Sequence, residues 1–210
     1  MARKSRRLDS DMTQGSIWRQ LIEFSLPMMI GLIFQQLYNT VDTIVVGQFV
    51  GKEALAAVGT TSSIINMLVG FAAGLSTGSS VIISQCYGRR DHEGLHKAVH
   101  TSISITFILA VAFTALGVLG ADTLLRLQST PEDVFPEAHT YLTIYFSGLL
   151  GLLLYNMGSG ILRAVGDSRR PLYFLVFSAV INTALDLIFV VVLGMGVEGV
   201  AYATIIAQFL

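Results

Sequence analysis

Charge is scarce in this chain. Asp, Glu, Lys and Arg make up 13% of its 210 residues, about half the ~25% of an ordinary soluble domain. Hydrophobic residues reach 53%. So few charges cannot clothe a water-facing surface of this size, which argues against a soluble globular protein. Cysteine is almost absent as well. Cys86 stands alone, so no disulfide forms within the chain. An excess of positive charge is also missing. The net charge of −1 leaves no electrostatic footprint for nucleic acid.

The sequence does have long charge-free runs. Ala54–Gly88, Ala98–Ala121 and Ala138–Leu162 contain no Asp, Glu, Lys or Arg. A bilayer core of ~30 Å needs about 20 apolar residues of helix, so each run can span it. Phe24–Gly51 is interrupted only by Asp42, and Pro171–Val197 only by Asp186. A sixth run starts at Gly199 and stops with the sequence at Leu210, too short to span. The expected fold is an all-α integral membrane bundle of six helices, the last truncated. The spans are read at 21–48, 54–86, 96–120, 138–163, 171–194 and 199–210. The chain then reads as the first part of a longer protein. Residues 1–19 form a basic tail, and residues 20–210 form one transmembrane domain. The tail lacks the short apolar region and cleavage site of a signal peptide.

Six spans sort the loops onto two sides. Arg3, Lys4, Arg6, Arg7, Arg19, Arg89, Arg90, Lys97, Arg163, Arg169 and Arg170 fall on one side, and Lys52 and Arg126 on the other. This bias predicts a multi-pass protein of the cytoplasmic (inner) membrane with its N-terminus in the cytoplasm.

Three motifs point elsewhere. "HEGLH", His92–His96, has the spacing of a zinc protease helix, and His100 adds a third imidazole. It lies in the polar connection "GRRDHEGLHK", which reads as a solvated turn. "GMGVEG", Gly194–Gly199, matches a dinucleotide fingerprint, but that fingerprint requires a short strand in a βαβ unit. A glycine hairpin between two membrane helices suits it better. Gly70, Gly74 and Gly78 repeat at four-residue spacing, a pattern that lets helices approach closely in lipid. Packing within the chain is the expected use.

Polar residues inside the apolar runs are more informative. Gln35, Tyr38, Asn39 and Asp42 fall on one face of the first span, because successive helical residues rotate by ~100°. A charge facing lipid is unfavourable, so this stripe should face protein or a water-filled cavity. Asn182 and Asp186 share a face of the fifth span. Asp42 lies ~7–8 Å below the outer end of its helix, Asp186 ~10 Å and Thr204 ~7–8 Å, by helical rise. Three separate helices thus bring oxygen ligands to one level. Tyr141, Tyr145 and Asn156 in the fourth span either line a cavity or bond between helices. Ser and Thr in the second and third spans can bond back to their own helix carbonyls. Pro27 removes one backbone hydrogen bond from the first span and allows a bend.

These residues resemble the multidrug and toxic compound extrusion transporters. The likeness lies in "FSLPMMIGLIFQQLYNTVDTIVVGQFVGKEALAAVG", "QCYGRRD", "LRAVGDSRRPL" and "NTALDLIFVVVLGMGVEGVAYAT", in that order, over nearly the whole chain. The resemblance implies twelve helices in two lobes, with this chain as the N-terminal lobe and a C-terminal lobe of the same polypeptide as its partner. It implies antiport of drug-like, mostly cationic or amphiphilic compounds against H⁺ or Na⁺, by a monomer, with no enzyme activity and no cofactor. It assigns cation or proton binding to Asp42, Asn182, Asp186 and Thr204, and bending to Pro27. Gln35, Tyr38, Asn39, Tyr141 and Asn156 are the candidate substrate-cavity residues. Competing readings are a zinc protease using His92, Glu93 and His96, a lipid-linked precursor flippase, and a non-transporting scaffold. A flippase would need a basic cavity, and no Lys or Arg lies within a complete charge-free run.

Overall fold

The computed structural model describes residues 16–210. The basic tail read over residues 1–19 lies, up to residue 15, outside the described residues. The order is α1 (Ile17–Val45), a first π turn (Val46–Val50), α2 (Lys52–Gly88), α3 (His92–Leu127), α4 (Phe135–Ser147) and α5 (Leu149–Ala164). Then come α6 (Arg169–Asp186), a second π turn (Leu187–Val192) and α7 (Gly196–Phe209). There is no strand among the described residues.

Four helical units are long and apolar enough to cross a bilayer: 18–50, α2, α3 and 169–192. A fifth is the bent pair α4 and α5. The sixth run is α7, with 14 residues. The all-α membrane bundle is therefore the observed fold. The fourth span differs from its expected form. It is not one rod over 138–163 but two helices meeting at 49°. The break falls at Gly148, where any side chain would run into Ile205 of α7. Thr114 of α3 donates to the Phe146 carbonyl beside the break, at 3.0 Å. Within lipid such a carbonyl needs a partner from a neighbouring helix.

Packing follows the small residues, though not those with the four-residue repeat. A Cβ added at Gly70, Gly74 or Gly78 would meet nothing within 4 Å. Among the described residues no helix makes a close approach at that stripe, which corrects the packing expectation. The close approaches lie elsewhere. Gly117 of α3 leaves room only for the Phe146 ring, and Gly160 of α5 leaves room only for Ser76 and Ser80 of α2. At the second crossing Ser76 Oγ donates to the Asn156 carbonyl at 2.7 Å. Thr61, Thr77, Ser80 and Thr106 do bond back to their own helices. Ser76 and Thr114 instead tie helices together.

The larger core cluster joins α2, α3, α4 and α5 around Leu68, Leu125, Leu142, Phe146 and Leu149. A second cluster joins Val45, Val46, Tyr141, Val190, Val197 and Val200. It sits where α1, α4, α6 and α7 reach the same end of the bundle. The connections between helices have simple causes. Gly194 and Gly196 both take positive φ, +64° and +63°. That conformation favours glycine. "GMGVEG" is thus the turn into α7. At the opposite end, Asp91 Oδ1 accepts the Gly94 N–H at 2.8 Å and caps α3.

Candidate functional site

Two carboxyl-bearing helices end alike. Asp42 is four residues from the first π turn, and Asp186 immediately precedes the second. A π turn holds an extra residue and re-aims the side chains around it, and such turns recur at functional sites. The two π turns pack on one another, so the helices that carry Asp42 and Asp186 come together. Their carboxyl groups face one another and interact electrostatically.

Asn182 stands one helical turn below Asp186, on the same face of α6. Both are fully buried, at 0% exposure, and Thr204 of α7 is 5% exposed. Asn182 Nδ2 donates to Thr204 Oγ1 at a long 3.5 Å. Thr204 Oγ1 in turn donates to the Val200 carbonyl at 3.0 Å. The remaining oxygens are unusual. Asp42 Oδ1, Asn182 Oδ1 and both carboxylate oxygens of Asp186 are buried with no protein donor. Buried acceptors without donors are costly. The structure therefore gathers Asp42, Asn182, Asp186 and Thr204 into one cluster of underused oxygens. The Tyr38 hydroxyl adjoins Thr204 and faces both carboxyl groups.

Below this cluster lies a cavity of about 450 Å³ between α1, α5, α6 and α7. Thr204 and Tyr38 border its upper end, and Gln35 and Asn156 line its side. Pro27 lies on its wall, within a helix that runs unbroken from Ile17 to Val45. Two candidates fall outside it. Asn39 is exposed and does not line the cavity. Tyr141 is 4% exposed and packed in the smaller core cluster. The bend at Gly148 is the reason. It directs α5 along the cavity and leaves α4 against α7. Tyr145, on the same segment, is buried in the larger core cluster.

Sequence reasoning missed other lining residues: Tyr155, Ser159, Arg163, Ser168, Ser178 and Gln208. A signal for three of them was present. Tyr155, Ser159 and Arg163 repeat at four-residue spacing and share one helix face. Arg163 had been assigned only to the topology of the loops.

The HExxH segment is helical rather than a turn, because α3 starts at His92. Its Glu93 binds Lys97 at 2.6 Å on an exposed face. No group of three His, Cys, Asp or Glu able to hold a metal gathers among the described residues.

The MatE family model matches residues 27–188. This chain belongs to the MatE family. Among curated MatE relatives, the Probable multidrug resistance protein YpnP of Bacillus subtilis (strain 168) is 39% identical over 198 residues, covering 94% of this chain and 44% of the relative. The FAD transporter of Shewanella oneidensis is 30% identical over 193 residues, covering 90% and 42%. A solved MOP superfamily transporter from Pyrococcus furiosus superposes with a TM-score of 0.89 at 33% identity, covering 99% of this chain and 45% of that one. The chain spans about half the length of the curated relatives it matches, as one lobe of a two-lobed transporter would. It is a multi-pass membrane protein of a transporter family, and that membership does not favour the protease, flippase or scaffold readings.

Proposed function

We propose that this chain is the cation-coupling lobe of a secondary transporter that exports drug-like amphiphiles in exchange for H⁺ or Na⁺. One observation carries the reading. Asp42, Asn182, Asp186 and Thr204 converge with several oxygens unsatisfied, directly above a cavity. Two negative charges this close and out of water repel strongly. A shared proton or a bound Na⁺ relieves that repulsion. Carboxylate, amide and hydroxyl oxygens suit either ion. The ion can drive export only if it binds the outward- and inward-facing states with different affinity.

The parts then take roles. Asp42 sits on α1 and Asp186 on α6, so occupancy of the pair governs how closely α1 lies against α6. Gln35, Tyr38 and Asn156 present polar groups to a substrate in the cavity. Pro27, about four turns below Asp42, lets α1 bend without breaking other hydrogen bonds. The second lobe of the polypeptide would complete the path, with the N-terminus in the cytoplasm and the transporter acting as a monomer in the inner membrane. The relatives' own cargoes, named as drugs and as FAD, leave the polarity of the substrate open.

Dye efflux from vesicles under separate pH and Na⁺ gradients tests the reading. One of the two gradients should drive efflux, and Asp186→Asn should remove that response at equal protein levels. Retained gradient-driven efflux in Asp186→Asn would exclude the pair as the coupling site. Orientation is tested by cysteine accessibility. Cysteines at positions 90 and 169 should label from the cytoplasm, and those at 52 and 130 from outside.

A further inference from the structure

The charge of the cavity lies at one end and has one sign. Its walls contain no Asp or Glu, and Arg163 is its single charged lining residue among the described residues. A basic residue in the last turn of a helix is ordinarily explained by the helix dipole or by headgroups beyond it. Arg169 and Arg170, which open α6, fit the headgroup account, because both are exposed. Arg163 does not. It is half-buried, turned into the cavity, and close to Tyr155.

Among the described residues no carboxylate pairs with it. The nearest acid in sequence, Asp167, faces Arg169 and Arg170 instead. Its Oδ1 accepts the Arg169 and Arg170 N–H groups at 3.0 and 3.1 Å, and its Oδ2 pairs with Arg170 Nε at 3.1 Å. Among the described residues Arg163 is in no ion pair. Two hydroxyls share its end of the cavity, Ser159 and Ser168, each 5% exposed. That end therefore offers a guanidinium and hydroxyls able to donate, with no competing carboxylate. Arginine with hydroxyl donors is a suitable receptor for carboxylate, sulfonate or phosphate oxygens. From Pro171 to Ala179 the α6 wall covers roughly 12 Å of largely apolar surface, leading up to Tyr38 and Thr204.

We propose that Arg163 is the substrate-polarity determinant of this lobe: it anchors the anionic group of an amphiphile whose apolar or aromatic body fills the cavity toward Tyr38. This rests on the export reading only in taking the cavity as a substrate site. The cation site and the substrate anchor then sit at opposite ends of one chamber. Substrate charge is matched by Arg163, and the coupling ion is left to the Asp42–Asp186 pair.

Equilibrium binding without any gradient tests this apart from coupling. The protein in detergent is titrated with three probes that share one body: 1-pyrenebutyrate, its neutral amide and its trimethylammonium analogue. The carboxylate should bind about tenfold more tightly than the other two, the scale of one charge-assisted contact. Arg163→Gln should bring the three probes within about twofold of one another. Arg163→Lys should keep part of the preference and guards against a folding defect. Short-chain phosphatidylglycerol as competitor separates the sources of the anion. Arg163-dependent displacement of the probe places a lipid headgroup phosphate at the anchor, and carboxylate preference without displacement places a free solute there. Equal or tighter binding of the trimethylammonium probe to wild type would overturn the proposal, as would a carboxylate preference that survives Arg163→Gln or a failure of all three probes to bind. A loss of gradient-driven efflux in Asp186→Asn would leave this result untouched.

Discussion

The two hairpins that carry Asp42 and Asp186 are built alike and held differently. Each runs from an apolar helix through a carboxylate, a π turn and a glycine of positive φ into a helix with a Glu in its first turn, Glu53 or Glu198. Yet Asp186 is fully buried on a helix tied to α7, where Ser178 Oγ donates to the Ala207 carbonyl at 2.6 Å. Asp42 rides on α1, whose large side chains Leu32, Ile33 and Leu37 are exposed. Local opening requires least free energy where few apolar contacts are lost. On the proposed reading, α6 and α7 are the fixed wall of the cation site and α1 is the wall that moves. Proline lies inside the free helix and not inside the fixed one, where Pro171 sits in the first turn.

The strongest way to break this comparison is to remove charge from either side. Asp42→Asn and Asp186→Asn should each reduce gradient-driven dye efflux to the level of empty vesicles, with normal insertion. The double variant should be no worse than either single one, because the two act as a unit. Additive partial losses would show two independent sites instead. A large effect of another kind is expected from the core shared by α2, α3, α4 and α5. Gly117→Leu places a side chain where the Phe146 ring lies. It should lower stability by about 1–3 kcal/mol or more, as overpacking does, read as a fall in melting temperature in detergent. Gly74→Leu, on the open stripe of α2, should leave the melting temperature of this lobe unchanged.

Pro27→Ala sharpens the comparison with a smaller effect. It restores a backbone hydrogen bond to α1 and should stiffen the wall that moves. Efflux should slow several-fold while ion binding at equilibrium stays intact; unchanged efflux at normal expression would make Pro27 a tolerated bend. The mildest change is Thr204→Ser, which keeps the hydroxyl that accepts from Asn182. It should behave nearly as wild type, whereas Thr204→Val should weaken ion affinity by about tenfold, the scale of one hydrogen bond to a polar ligand. Equal behaviour of the two variants, measured by ion-dependent protection in a thermal melt, would remove Thr204 from the site.

How far the sequence carried the reading can be judged residue by residue. Asp42, Asp186 and Thr204 are assigned to one level by counting helical rise inward from the outer helix ends at Gly47, Leu193 and Gly199, because a membrane fixes the direction and origin of that count. Arg163 could be counted too, but counting assigned it to a loop. Only packing shows that it points back into the cavity. Tyr141 and Asn156 looked equivalent in an unbroken fourth span, and the bend at Gly148 sends one into the core and the other to the cavity wall. The Gly70, Gly74 and Gly78 repeat promised a close crossing. The crossings formed instead at Gly117, Gly148 and Gly160, where a partner side chain was available to fill the space.

The sequence by itself determined the solvent of this protein, its helical class and the long apolar runs that become its helices. Those properties follow from one-dimensional facts: where charge is missing, how long each run is, and how far a helix rises per residue. Tertiary structure alone decided which polar faces meet, where the fourth helix breaks, and that the cavity holds a guanidinium at one end and oxygens at the other. A helix presents several faces, and its sequence does not say which neighbour will cover each one. That is settled by the fit of side chains between helices, such as Phe146 over Gly117 and Ile205 over Gly148.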